Sequence, residues 1–88
     1  MFRIWAKLFK ENRLINDMVV CNESDDTRTQ KVFQAIEEIC NCFDLSKPLW
    51  LDSSISDFKR HSKTRFTQDH FIDDITFDFL EIQVIEED

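Results

Sequence analysis

Glycine is absent from this 88-residue chain, where average usage would supply about 7%. Its absence excludes a phosphate-cradling loop and a dinucleotide fingerprint together, because both bring backbone close to phosphate at positive φ. Tight turns must fall to Asn and Asp, which tolerate the left-handed region best after glycine. Long hydrophobic runs are missing as well. Charge-free stretches such as Met18 to Asn22 fall far short of the roughly 20 residues that a membrane span needs, so no membrane association is expected. The opening Met1-Phe2-Arg3-Ile4-Trp5-Ala6-Lys7-Leu8-Phe9-Lys10 breaks its apolar residues with charge and offers no small-residue cleavage site. No secretory signal is expected from it, and the cytoplasm is the expected address. Cysteine is scarce: Cys21, Cys40 and Cys42 form an odd set without the spacing of a disulfide framework, which fits a reducing compartment.

What is present suffices for one core. Apolar residues make up 42% of the chain, and nine Phe with Trp5 and Trp50 supply wide hydrophobic faces. A chain of this size buries only about 60 to 65% of its unfolded surface, which allows a single domain over residues 1–88 and no second core. Charge is unevenly spread. Of the net −7, residues 1–68 contribute nothing negative, with eleven Lys and Arg against ten Asp and Glu. From Asp69 to Asp88 there are eight acids and no Lys or Arg. Directly before that segment, Lys59-Arg60-His61-Ser62-Lys63-Thr64-Arg65 gathers four of the eleven basic residues.

Phe2, Ile4, Ala6 and Leu8 recur with period two against Arg3, Trp5, Lys7 and Phe9, which predicts a half-buried strand. Lys10 to Arg13 is polar, and apolar content resumes from Leu14 to Cys21, so a hairpin is expected. Asn22 to Thr27 is rich in capping side chains, and Thr27 with Gln30 has capping-box spacing. A helix follows in which Val32, Phe33, Ile36, Ile39, Cys40 and Phe43 share one face, with Lys31, Gln34, Glu37, Glu38 and Asn41 outside. Asp25 and Asp26 sit at its positive end. Pro48 places the helix end near Asp44 or Leu45, and Pro48 to Leu51 reads as a buried extended connector with Trp50 in the core. Ser53 or Ser54 caps a shorter helix ending by Ser62. Phe66, Phe71 and Ile72 are expected as anchors in an irregular stretch. Leu80, Ile82 and Val84 then alternate with Glu81 and Gln83 as a strand with one wet face, and Glu86 to Asp88 frays from its end. The fold class is α+β: a small antiparallel sheet, made of the N-terminal hairpin and the C-terminal strand, packed against one main helix and one short helix.

The blocks Asp25 to Thr29, Phe43 to Pro48, Lys59 to Phe66 and Leu80 to Asp88 resemble those of short uncharacterised proteins of anaerobic Gram-positive bacteria. The resemblance spans the chain. It implies a bacterial cytoplasmic origin and transfers no functional residue.

Several chemistries can be weighed on residue types. Cys40, Cys42, His61 and His70 make a nominal zinc set, but residues two apart on a helix point about 200° away from each other, so Cys40 and Cys42 do not converge. Nucleophilic catalysis needs a Cys or Ser beside His61 or His70 and a third group to orient the base, and no local motif supplies one. Asp52, Glu81 and Gln83 with Lys63 sketch a metal-dependent nuclease, yet such a site wants a lysine where Gln83 stands. No enzyme activity and no cofactor are therefore expected.

Two binding modes remain. A protein partner, basic or itself nucleic-acid-binding, would meet the acidic segment at Asp73, Asp74, Asp78 and Glu81, and the final strand, if it lies at an edge, adds unpaired backbone. An adaptor, inhibitor or assembly subunit has this character, and homodimerisation through the hairpin or an edge strand belongs to the same class. The alternative is RNA or single-stranded nucleic acid bound by Lys59, Arg60, His61, Lys63 and Arg65, with Phe66 stacking on a base. The net charge of −7 opposes that approach at long range.

Overall fold

The structure is a computed structural model, and it describes residues 1–87; Asp88, the last of the residues expected to fray, lies outside them. Strand β1 (Phe2–Lys10) and strand β2 (Arg13–Asn22) form the expected hairpin. Its turn is made by Glu11 at φ 53 and Asn12 at φ 64, the paired left-handed residues of a tight hairpin. Leu8 faces Asn16 whereas Phe9 faces Leu14, so Ile15 is the extra residue of a β-bulge.

Helix α1 (Arg28–Phe43) starts in the expected capping box: the Thr27 side chain accepts from the Gln30 N–H, and Gln30 reaches back to the Thr27 backbone. It stops at Asp44, which takes the left-handed conformation at φ 57. The buried face is Lys31, Val32, Ala35, Ile36, Ile39 and Cys40, turned from the expected one. Phe33, expected inside, is exposed, and Lys31, expected outside, is buried with its ammonium 5.6 Å from the Phe2 ring. The cause is placement: α1 crosses β1 and β2, and the long Lys31 stem covers Phe2 at the sheet's end.

Helix α2 (Asp52–His61) packs beside strand β3 (Lys63–Phe66), and strand β4 (Phe79–Glu86) completes the sheet. Neither Ser53 nor Ser54 caps α2. Leu51 occupies that position without a side-chain bond, Asp52 supplies negative charge in the first turn, and Ser54 is buried. Between β3 and β4 lies one 3₁₀ turn, Gln68–His70. The sheet is antiparallel throughout with the order β2-β1-β4-β3, so the α+β class with its hairpin, C-terminal strand, main helix and short helix holds.

Two further expectations are corrected. The final strand is central, paired on both sides, because the basic cluster contributes the unexpected strand β3 along its outer flank. Ile72 is 84% exposed and anchors nothing. Phe71 and Phe77 fill that part of the core edge to face at 5.8 Å, while Gln68 stitches the loop through the Asp73 carbonyl and the Ile75 N–H. Trp50 is half-buried against the core, with Phe58 and Phe66 meeting its ring edge to face. Both helices lie on the sheet face of Phe2, Ile4, Ala6, Leu8, Phe66, Leu80 and Ile82. Among the described residues no element covers the other face.

Candidate functional site

Strand register determines what the open face displays. Lys7 stands opposite Asp17 on β2 and Glu81 on β4, and Glu81 stands opposite Arg65 on β3. One row across the sheet therefore alternates in charge, Asp17, Lys7, Glu81, Arg65. Lys7 Nζ lies 2.7 Å and Arg65 Nε 3.0 Å from the Glu81 carboxylate. Lys7 also donates to Gln83 at 3.1 Å and rides 4.1 Å from the Trp5 ring, whose Nε1–H donates to Asp17 at 3.0 Å. The adjacent row is apolar: Leu14, Phe9 and Phe79 are register neighbours, with Phe9 and Phe79 stacked at 5.0 Å and the Arg65 guanidinium 4.5 Å from the Phe79 ring. Cross-strand pairs of these kinds stabilise a sheet.

This arrangement decides the fate of the predicted acidic contacts. Glu81 is only 6% exposed and is consumed inside the protein. Burial pushes its carboxyl up, but hydrogen bonds and charge from Lys7 and Arg65 outweigh burial and hold it below the usual carboxylate range. Glu81 is therefore withdrawn as a partner contact. Asp78 is exposed but tied to the hairpin: its carboxylate accepts from the Glu11 N–H at 2.8 Å and its own N–H donates to the Phe9 carbonyl. Asp73 and Asp74 are exposed in the loop at the hairpin-turn end of the sheet.

The basic cluster is split. Lys59, Arg60 and His61 form the last turn of α2, whereas Lys63 and Arg65 project from the open sheet face. Between them Ser62 reverses the chain at φ 57. Phe66 is fully buried, at 0% exposure, and has no face to offer a base. The strand alternation that exposes Lys63 and Arg65 is what turns Thr64 and Phe66 inward.

Ser54 and His70 form a buried pair at 2.8 Å, Oγ to Nε2. The Thr67 N–H donates to His70 Nδ1 at 3.1 Å, so Nδ1 is the acceptor and the neutral ring carries its proton on Nε2. Nε2–H then donates to Ser54, the reverse of what a general base toward a serine nucleophile requires. The pair pins α2 to the loop after β3, and the connector before α2 is tied to the same loop where the Leu49 N–H donates to the His70 carbonyl at 2.6 Å. Cys40 is buried, which pushes its thiol up to about 11 against a small opposing pull from Lys47; Cys21 and Cys42 are exposed.

The free edges of the sheet are β2 and β3, and β2 is the longer by far. Leu14, Ile15 and Val19 are exposed on it at 46, 51 and 46%. Beyond the Ile15 bulge the run Asn16 to Cys21 pairs with β1 in regular register and has no strand on its outer side, where the Asp17 N–H donates to Asn16 Oδ1 at 3.0 Å. Glu11, Asp17, Glu23, Asp25 and Asp26 lie on β2 and its flanking turns, against Arg13 alone. Regional charge counts miss this acidic border because the bases that balance it are elsewhere in the fold. Its signal in the sequence was the hairpin itself, whose second strand has no later partner. Comparison with known proteins finds no matching family model, curated protein or solved structure.

Proposed function

We propose that this chain is a small acidic binding protein, an adaptor, inhibitor or assembly subunit, that captures a basic polypeptide along the free edge of β2. The observation that carries this is the run Asn16 to Cys21, paired on one side only and bearing the exposed Val19. An incoming strand would satisfy the outer backbone groups and bury that side chain. The five acids around β2 complement a basic segment, and Asp73 and Asp74 extend the same field at the hairpin-turn end. Net charge of −7 on each copy opposes self-pairing along this edge and favours a partner of opposite sign. Nucleic acid is the weaker alternative, since Arg65 is spent on Glu81, Phe66 is buried, and the remaining bases sit on two faces.

The test is recovery of a partner from nuclease-treated lysate of the native host. A discrete basic protein should be retained by the wild-type chain. Val19→Lys, an exposed change that leaves the core intact, should lower recovery by about tenfold, as expected for losing one well-buried apolar contact and adding a like charge. Equal recovery by the variant, or a partner that vanishes with the nucleic acid, contradicts the proposal.

A further inference from the structure

On the helical side of the molecule, away from β2, α1 and α2 enclose a groove of about 270 Å³. That is slightly less than sites for drug-sized ligands occupy, so an occupant would be small. Its walls are Val32, Phe33, Trp50, Ile55 and Phe58. Phe33 is 52% exposed there, an aromatic ring left half wet on a helix whose other large apolar residues are covered. Trp50 meets Phe33 at 79° and Phe58 at 81°, with centroids 6.0 and 5.7 Å apart, so the walls are rings set nearly at right angles. A planar aromatic placed between such rings makes edge-to-face and offset contacts at once.

The rim carries Arg28 and Lys59 and no acid. Lys59 has no ion pair among the described residues. Arg28 already holds a carboxylate, with its Nε 2.6 Å from Glu87 Oε1, and its guanidinium lies 5.2 Å from the Phe58 ring. The acid beside the start of α1 faces elsewhere: Asp26 accepts from Gln34 Nε2 at 2.9 Å. Thr27 caps the Gln30 N–H, which leaves the N–H groups of Arg28 and Thr29 at the rim without a helical acceptor. In a chain of net charge −7, an apolar groove edged by Lys59, by Arg28 paired with Glu87, and by open helix N–H groups is complementary to an anion.

We propose that this groove binds a small aromatic carboxylate, its ring against Trp50 and its carboxylate at Lys59 and the first turn of α1. In this scheme Glu87 competes for the same charge through Arg28. The test titrates 1-naphthoate against a Trp5→Phe variant, in which Trp50 is the only tryptophan; Trp5 lies on the open sheet face, outside the groove. Saturable quenching of Trp50 is expected. Lys59→Gln should weaken it about tenfold, and the neutral analogue 1-naphthalenemethanol should bind about tenfold more weakly than naphthoate. Glu87→Gln should tighten binding. If Trp5→Phe does not fold, the Trp50 indole N–H resonance of the unsubstituted chain reports the same titration. No saturable response into the millimolar range, equal binding of acid and alcohol, or indifference to Lys59→Gln would overturn the proposal.

Discussion

Glu81 shows how far a residue's role depends on partners distant in sequence. On the open face of the sheet it would ordinarily be wet, yet Lys7 and Arg65 cover it and leave its side chain 8% exposed. Removing one member of a buried ion pair leaves the other uncompensated, so Glu81→Ala should cost about 3 kcal/mol in urea denaturation. The pH dependence has a defined sign. Because the folded pKa is lowered, the carboxylate contributes its full stability above the unfolded value of about 4.3 and loses it as pH falls through the folded pKa. Denaturation midpoints of wild type should fall over that acid window, and those of Glu81→Gln should change less. Alternation places Glu81 on the open face of the sheet, but the side chain there is buried and not wet. Alternation does not show that Lys7, near the other end of the chain, stands opposite Glu81, so from the sequence the acid reads as free for a partner.

At the scale of elements, local chemistry was legible wherever one segment decides its own structure. The Thr27 capping box, the period-two face of β1 and the stop at Asp44 follow from side chains within a few residues. Strand β3 was illegible for the opposite reason. Four residues with two cations resemble a solvated run, and only pairing with β4 makes Thr64 and Phe66 its inward positions. Partner-dependent packing likewise rotated the buried face of α1 toward Lys31. The lack of glycine is absorbed at the joints. Four of the described residues hold positive φ, Glu11, Asn12, Asp44 and Ser62, and of these Asn12 and Asp44 are of the types expected there. A left-handed residue with a Cβ is strained by roughly 1 to 2 kcal/mol. Glu11→Gly should therefore raise stability by about 0.5 to 1 kcal/mol after the entropy that glycine loses on folding, read as a higher melting temperature. No gain would contradict a strained left-handed Glu11, because glycine keeps the backbone N–H that donates to Asp78.

For the molecule as a whole, the sheet has one face under two helices and one open face that is largely self-satisfied by its charge row and stacked rings. That leaves the outer edge of β2 as the longer of the two free sheet edges among the described residues. No described helix is long and apolar enough to cross a membrane. The expected α+β class held because β1, β4 and α1 carry their own periodicity and β2 follows β1 through a short polar turn. The contact surface moved because strand order is a non-local property: β4 became central once the basic cluster paired with it, and the open edge passed to β2. Amide hydrogen exchange on the recovered complex, compared with the free chain, tests the central claim most directly. Slowed exchange confined to Asn16 to Cys21, with β3 unchanged, is the predicted result. Protection that falls on Lys63 to Phe66, or on neither edge, would contradict binding along β2.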